Sequence, residues 1–350
     1  MKTLFIPLLA GLLLSCPASV LQAQDGKEKE KKEQLEAREK ERLERQEAKE
    51  KEREEKNESR DAEREVKNRE REERNRLRYN EKYPEEFKEH ISKQYTIQKT
   101  AGSVLTIYNL DGFIKVGGYG GDKVIIEIDK TVRAKDKETM EQAKKEIKIG
   151  FEQIGDSVVT YLLAPWDTRP HEEKYNWEDR ERKRIEYNCN LQYTVKVPFG
   201  MNLRVGTINN GDIDIKNVTG ALHVNNINGG IAIANAKGTT WAHTINGDLT
   251  VNYLSNPPEA SSFYTLNGKL TAIFQPNLAA DLQFKTMNGA FYTDFDNAQT
   301  LSPTVTKNEE KRGGGTLYKL NKDTQLRIGA GGKQFKFETL NGNIYIKKQS

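Results

Sequence analysis

The chain has 350 residues, with 56 Lys and Arg against 52 Asp and Glu. A net charge of +4 is small for so many ionisable groups, which excludes the one-signed field that draws nucleic acid. Past the N-terminus no stretch is long and apolar enough for a transmembrane helix.

The first residues have the form of an export signal. Lys2 supplies a positive start, and Leu4 to Leu14 is an apolar run too short to span a bilayer and stay there. Pro17 breaks that run, and Leu21-Gln22-Ala23 puts a small residue at a cleavage point before Gln24, so residues 1–23 are expected to be a signal peptide. The alternative is a lipoprotein signal, Leu13-Leu14-Ser15-Cys16, with a lipid anchor on Cys16; Pro17 directly after the cysteine weighs against it. Either way the expected location is the periplasm, outer membrane or cell surface of a bacterium. After cleavage only Cys189 remains, so no intrachain disulfide is expected. Tyr187, Cys189, Leu191, Tyr193, Val195 and Val197 alternate with period two, which puts the thiol on the apolar face of a strand, buried and unreactive.

Residues 24–95 read as a charged helical stalk or linker. From Lys27 to Arg78 there are 20 basic and 19 acidic residues in 52, with no Gly or Pro. Glu precedes a base by four residues at Glu28/Lys32, Glu36/Lys40, Glu41/Arg45, Glu47/Lys51, Glu52/Lys56, Glu65/Arg69 and Glu70/Arg74. Each such pair stabilises a helix by about 0.2–0.5 kcal/mol. Leu35, Leu43, Val66 and Leu77 follow no heptad, so a long isolated α-helix is expected rather than a coiled coil. A solvated, disordered polyampholyte is the alternative. Both make the segment a spacer.

After Pro84 the composition changes, and residues 96–350 form the expected all-β domain, rich in Val, Ile, Tyr, Thr, Gly and Asn. Strands are expected at Val104–Tyr108, Phe113–Val116 and Val124–Ile128, with the Gly117–Gly121 cluster as a tight turn rather than a phosphate loop. Met140, Ala143 and Ile147 fall on one helical face, capped by Asp136 or Thr139. Two strands then flank Gly155-Asp156. Residues 164–184 are an insertion carrying Trp166, Tyr175 and Trp177, a candidate contact for a ligand or partner. The plainer reading is that these rings cover the edge of the β domain.

Beyond Pro198 a unit of the form Thr-Ile-Asn-Gly recurs. Its Asn and Gly are Asn210-Gly211, Asn228-Gly229, Asn246-Gly247, Asn267-Gly268, Asn288-Gly289 and Asn341-Gly342, with glycines 18, 18, 21, 21 and 53 residues apart. Asp111-Gly112 reads as a degenerate first copy. A fixed period near twenty marks a repeat architecture. The residue before Asn (Ile227, Ile245, Leu266, Met287, Leu340) and the second after Gly (Ile213, Ile231, Leu249, Leu270, Phe291, Ile344) are apolar, and both are expected to face a core. Second breaks at Asn217–Gly220, Asn235–Gly238, Asn256–Pro258 and Pro276-Asn277 make each repeat two short strands and two turns. Asn and Gly both tolerate positive φ, which suits them to the turn. The pattern fits an antiparallel meander with Asn-Gly hairpins. It also fits a β-solenoid, or β-helix-like stack, in which the Asn side chains form a ladder. The identity of Thr, Asn and Gly between copies favours the solenoid, since stacking rewards identity. The long last interval reads as an insertion near 300–315.

In these residues the chain resembles the bacterial putative-adhesin β-strand-repeat family, a domain of unknown function akin to GIN-type adhesin heads. The resemblance runs over about residues 100–348. It is carried by Val197-Pro198 leading into Leu203, Val205 and Thr207, by the successive Asn-Gly units, and by Gly329-Ala330-Gly331-Gly332 followed by Phe337, Thr339-Leu340-Asn341-Gly342-Asn343-Ile344. It implies an exported, solenoid-like β domain. The charged segment is not part of the family pattern.

Evidence for chemistry is sparse. His90, His171, His223 and His243 lack neighbours at metal-ligand spacing, so neither a metal nor a cofactor is expected. His223 and His243 each lie a few residues ahead of an Asn-Gly unit; one reading puts them on a shared face, and the plainer one makes them ordinary strand positions. No Gly-x-Ser-x-Gly elbow occurs. Asp212, Asp214 and Asp248 follow the turns but do not repeat in register. The expected function is therefore a non-enzymatic envelope or surface protein, a structural or adhesion scaffold for a protein or glycan component. The alternative is a polysaccharide-cleaving β-solenoid enzyme using those Asp carboxylates.

Overall fold

The computed structural model describes Arg45 and residues 80–166, 185–312 and 315–349, with the side chains of 303–323 left out. The chain divides into two units, Met1–Tyr79 and Asn80–Ser350. The export signal and nearly all of the charged segment lie outside the described residues, as do Tyr175 and Trp177; Arg45 is helical.

The second unit is built from two large mixed sheets, neither closed on itself. One has the strand order β1-β4-β7-β3-β9-β11-β13-β15-β21-β17 and the other β18-β19-β16-β20-β14-β12-β10-β8-β2-β6-β5. They are called here the first and second sheets. The repeat strands alternate between them. In the second sheet lie β2 (Val104–Tyr108), β8 (Asn202–Thr207), β10 (Leu222–Asn226), β12 (Thr240–Asn246), β14 (Ser261–Asn267), β16 (Ala280–Asn288) and β20 (Lys333–Asn341). Each is followed by its Asn-Gly or Asp-Gly turn. The chain then enters the first sheet as β3 (Ile114–Tyr119), β9 (Ile213–Lys216), β11 (Ile231–Ala236), β13 (Leu249–Tyr253), β15 (Leu270–Phe274), β17 (Phe291–Thr293) or β21 (Ile344–Lys348).

The Asn-Gly units are therefore not hairpin turns. The strands flanking each one belong to different sheets, and like strands of successive copies pair in parallel, as Leu222↔Leu203, Leu222↔Thr240 and Thr244↔Thr265 do. Each copy is one rung of a stack, and the antiparallel meander is excluded for the repeat strands.

The inward side chains of both sheets meet in one core. At the end bearing β2 and β8 it is aliphatic, with Leu105, Ile107, Val205, Ile213 and Val224 buried. At the other end it is aromatic. Phe274 stacks on Tyr253 at 5.2 Å and on Phe335 at 5.5 Å, and Phe337 stacks on Phe263 at 5.0 Å. Phe263 over Phe337 and Tyr253 over Phe274 lie face to face because parallel, in-register strands repeat each side-chain position at ~4.8 Å, whereas Phe274 and Phe335 meet across the core from opposite sheets.

The last copy in sequence is not last in space. β20 pairs with both β14 and β16, and β21 with both β15 and β17, so the Asn341 rung lies between those of Asn267 and Asn288. The 300–315 region, expected as an insertion, is the end of a long antiparallel hairpin, β18 (Ala298–Arg312) and β19 (Gly315–Ile328). β19 continues the second sheet antiparallel to β16.

At the opposite end β1 (Glu85–Thr96) pairs antiparallel with β4 (Lys123–Ala134) along its whole length, and β4 with β7 (Tyr187–Pro198). Residues 85–95, placed with the stalk by their charge, are thus an edge strand. Phe87, Ile91 and Tyr95 pack on the core, and Glu89 takes the Nζ of buried Lys130 at 3.1 Å. The helix α1 (Lys137–Glu146) packs on β1, β4 and β7. Asp136 caps it by accepting the Thr139 N–H at 2.8 Å, with Met140 and Ala143 buried. β5 (Lys148–Ile154) and β6 (Ser157–Leu163) complete the second sheet around Gly155-Asp156.

Candidate functional site

The turn corner is a continuous chain of amide hydrogen bonds. The Asn288 Nδ2 donates to Asn341 Oδ1 at 2.7 Å, Asn341 to Asn267 at 2.7 Å, Asn267 to Asn246 at 2.8 Å, Asn246 to Asn228 at 2.9 Å, and Asn228 to Asn209 at 3.0 Å. Asn210, at φ 53°, is an extra residue in its copy; it turns back to Asp111 at 3.0 Å. Asn190 also donates to Asp111, at 2.7 Å. Burial pushes the Asp111 carboxyl up, and the two amides partly offset this.

Thr and Gly work as a second pair. Thr207 Oγ1 donates to the carbonyl of Gly112 at 2.9 Å, Thr244 to Gly229 at 2.8 Å and Thr265 to Gly247 at 2.8 Å. A Cβ on Gly268 would sit 2.1 Å from the Gly247 carbonyl oxygen, and one on Gly229 would sit 2.2 Å from that of Gly211. Close backbone stacking, more than positive φ, demands glycine here: Gly247 and Gly342 have positive φ, Gly229 and Gly268 do not.

Because Thr turns inward, the apolar residue after it turns outward. Only the second residue after Gly is buried (Ile213, Ile231, Leu249, Leu270 and Ile344). Phe291, on the terminal rung, is 36% exposed. The residues before Asn, expected in the core, instead form a row on the outer face of the second sheet. In spatial order these are Ile208, Ile227, Ile245, Leu266, Leu340 and Met287, half-buried to exposed, with Met287 78% exposed.

The next two rows of that face carry the aromatic and charged groups. Register places Arg204, His223, Trp241, Ser262, Lys336 and Gln283 side by side on successive strands. Beside them runs Asn225, His243, Tyr264, Glu338 and Lys285. Trp241 is sandwiched by two imidazoles, with ring centroids 4.0 Å from His223 and 3.6 Å from His243. His243 lies 5.4 Å from the Tyr264 ring and 3.3 Å from Ser262 Oγ. All four rings are half-buried. Desolvation brings His243 down to about 4; desolvation and the nearby Arg204 charge lower His223. Both imidazoles are therefore neutral at pH 7.

Of the aromatics singled out in the sequence, only Trp166 is among the described residues. It is partly buried against the core, 5.4 Å from the Tyr187 ring. The Asp groups of the cleavage reading bridge rungs: Asp212 accepts the Gly230 N–H at 2.7 Å and Asp248 that of Lys269 at 2.8 Å. Asp214 lies on β9, half-buried. Cys189 is buried, its thiol pushed up to about 12 by desolvation. Among the described residues no cluster of three His, Cys, Asp or Glu could hold a metal ion, and no helix is long and apolar enough to cross a membrane.

No family model matches the chain, and no curated protein matches it. Among solved structures it is similar to a putative cell adhesion protein from Clostridium sporogenes, at 9% identity over 75% of this chain and 100% of the other, TM-score 0.36. It is also similar to a putative adhesin from Bacteroides fragilis, at 9% identity over 75% and 97%, TM-score 0.27. A putative adhesin from Parabacteroides merdae has 9% identity over 75% and 97%, TM-score 0.23. These neighbours carry the adhesin description that the sequence resemblance also names. With every TM-score below 0.5, the functional reading rests on the chain's own geometry.

Proposed function

We propose that this chain is a non-enzymatic, exported envelope or cell-surface protein whose repeat region is a β-solenoid acting as a binding scaffold, with the charged N-terminal segment as a helical spacer. The observation that carries the reading is the outer face of the second sheet. An apolar row and a Trp-centred aromatic cluster lie side by side on a rigid, hydrogen-bonded stack. Apolar side chains grouped on an outer face mark interaction sites, and rings with polar edges favour contacts that are apolar on one side and wet on the other. Asp212 and Asp248 lend no support to glycan cleavage, because their carboxylates are engaged by backbone N–H groups of the next rung.

The test compares the wild-type protein with Trp241→Ala and Trp166→Ala for retention on isolated bacterial envelope fractions, while assaying a glycan panel for turnover. The reading expects retention that Trp241→Ala weakens at least tenfold and Trp166→Ala leaves within twofold, with no turnover. Turnover abolished by Asp212→Asn or Asp248→Asn would overturn it.

A further inference from the structure

We propose that the outer face of the second sheet binds an acidic polysaccharide, whose sugar rings stack on Trp241 and Tyr264 and whose anionic groups pair with Arg204 and Lys336. The inference rests on the scaffold reading and names its ligand class.

The charges on this face argue for an anionic partner. Farther along the Arg204 row, on β5, Glu152 accepts a hydrogen bond from the Tyr161 hydroxyl. Among the described residues of the strands from β8 across to β19, four cations face outward, Arg204, Lys336, Lys285 and Arg327, against two carboxylates, Glu338 and Asp281. Both carboxylates are already paired, Glu338 with Lys285 and Asp281 with Arg327. Arg204 and Lys336 are exposed and have no ion-pair partner among the described residues. They share one row with Trp241, two strands away on either side. At ~4.8 Å per strand, each cation stands about 10 Å from the Trp241 position. A chain molecule lying along the row thus meets a cation, a ring platform and a second cation in turn. The guanidinium of Arg204 also matches a carboxylate as a planar, two-donor fork.

The platform itself suits a sugar. The four rings lie on the outer face of a sheet, half-buried, and ring edges and hydroxyls stand among them: the imidazoles of His223 and His243, Ser262 Oγ and the Tyr264 phenol. Stacking takes the C–H face of a pyranose, and these polar edges reach its hydroxyls. With both imidazoles neutral, the fixed positive charge comes from Arg204 and Lys336. An acidic peptide would use the cations and leave the platform idle. A neutral glucan would do the reverse.

The test uses the full chain and three soluble polymers in EDTA: polygalacturonate, dextran and polyglutamate, with binding measured by calorimetry at low and moderate salt. The inference expects polygalacturonate to bind at least tenfold more tightly than either control, and more weakly as salt rises. Trp241→Ala and the exposed double variant Arg204→Gln/Lys336→Gln should each weaken it at least tenfold. The double variant changes only exposed groups, and a melting temperature equal to that of wild type separates loss of binding from unfolding. Equal binding of polyglutamate, equal binding of dextran, or no effect of the double variant would overturn the inference. So would absence of polygalacturonate binding. In that case, Trp241-dependent retention on envelope fractions would leave the scaffold reading standing without its ligand, whereas loss of both would overturn the two together.

Discussion

At Gly268 the addition of one methyl group is enough to collide with the neighbouring rung, because the Gly247 carbonyl oxygen would lie 2.1 Å from it. Gly268→Ala should therefore destabilise the domain by about 1–3 kcal/mol, the range for overpacking, read as a lower midpoint in urea. Thr265→Val keeps the shape but removes the bond to the Gly247 carbonyl; its expected cost is about 1 kcal/mol. Equal stability of both variants and wild type would contradict the stacking account. Cys189 should not react with a maleimide in the native protein and should react fully once unfolded, since its thiol is buried and held far above its usual range. The same residue scale sets a pH dependence. His243 is surrounded by His223, Trp241, Ser262, Tyr264 and the Glu338 carboxylate, and desolvation brings it from 6.5 to about 4. The unfolded chain takes up its proton as pH drops below about 6.5, while the folded chain resists until about 4. Stability from this group is therefore present above 6.5 and lost as pH falls through about 4. Melting temperature should drop over that window more steeply in wild type than in His243→Gln; parallel curves would refute the assignment.

At the scale of elements, the rung is the unit that the sequence makes legible. Asn, Thr and Gly recur because Asn bonds its own counterpart, Thr bonds the carbonyl of a neighbouring Gly, and Gly abuts the Gly one rung away, so identity between copies is a direct record of stacking. The outer-face cluster was hidden by the same regularity. Trp241, His223, His243 and Tyr264 are scattered in sequence and unremarkable alone. Aligned on the ladder Asn, His243 and Tyr264 both fall three residues before it, while Trp241 and His223 both fall five before it. That alignment places them on one face; spacing to the nearest neighbour does not. The apolar residue before Asn was misleading for a related reason: period two gives alternation but not which set is inside, and the Thr hydroxyl takes the inward place by reaching a carbonyl. β1 was illegible because Glu and Lys dominate its exposed positions, leaving only Phe87, Ile91 and Tyr95 to mark an edge strand. A rung should also be removable. Deleting the 18 residues from Gly229 to Asn246 joins Asn228 to Gly247 and preserves alternation between the sheets. Nearest-neighbour stacks tolerate such changes, so the shortened protein should fold cooperatively with a reduced melting temperature. A deletion of nine residues, which leaves a half-rung, should not fold. Failure of both to fold would count against rungs as independent units.

At the scale of the whole molecule, the unexpected feature is the order of stacking. The sequence presents Asn267, Asn288 and Asn341 in that order, and the local pattern of each copy is the same, so nothing local distinguishes a simple succession from an exchange. The long hairpin of β18 and β19 intervenes before the chain returns, and β20 enters between β14 and β16. This return closes the stack with a rung that is later in sequence than its outer neighbour, which ties the end of the chain into the interior of both sheets. The ladder, the core rings and the outer face all depend on that order; Lys336 and Glu338 reach the outer face beside Trp241 only because β20 lies there. Paired cysteines in a Cys189→Ala background test it directly, since a disulfide needs Cα atoms about 4.4–6.8 Å apart. The account predicts that Asn267→Cys/Asn341→Cys and Asn341→Cys/Asn288→Cys both oxidise readily, while Asn267→Cys/Asn288→Cys, two rungs apart, stays reduced. Ready oxidation of Asn267→Cys/Asn288→Cys, with neither pair involving position 341 forming, would contradict it.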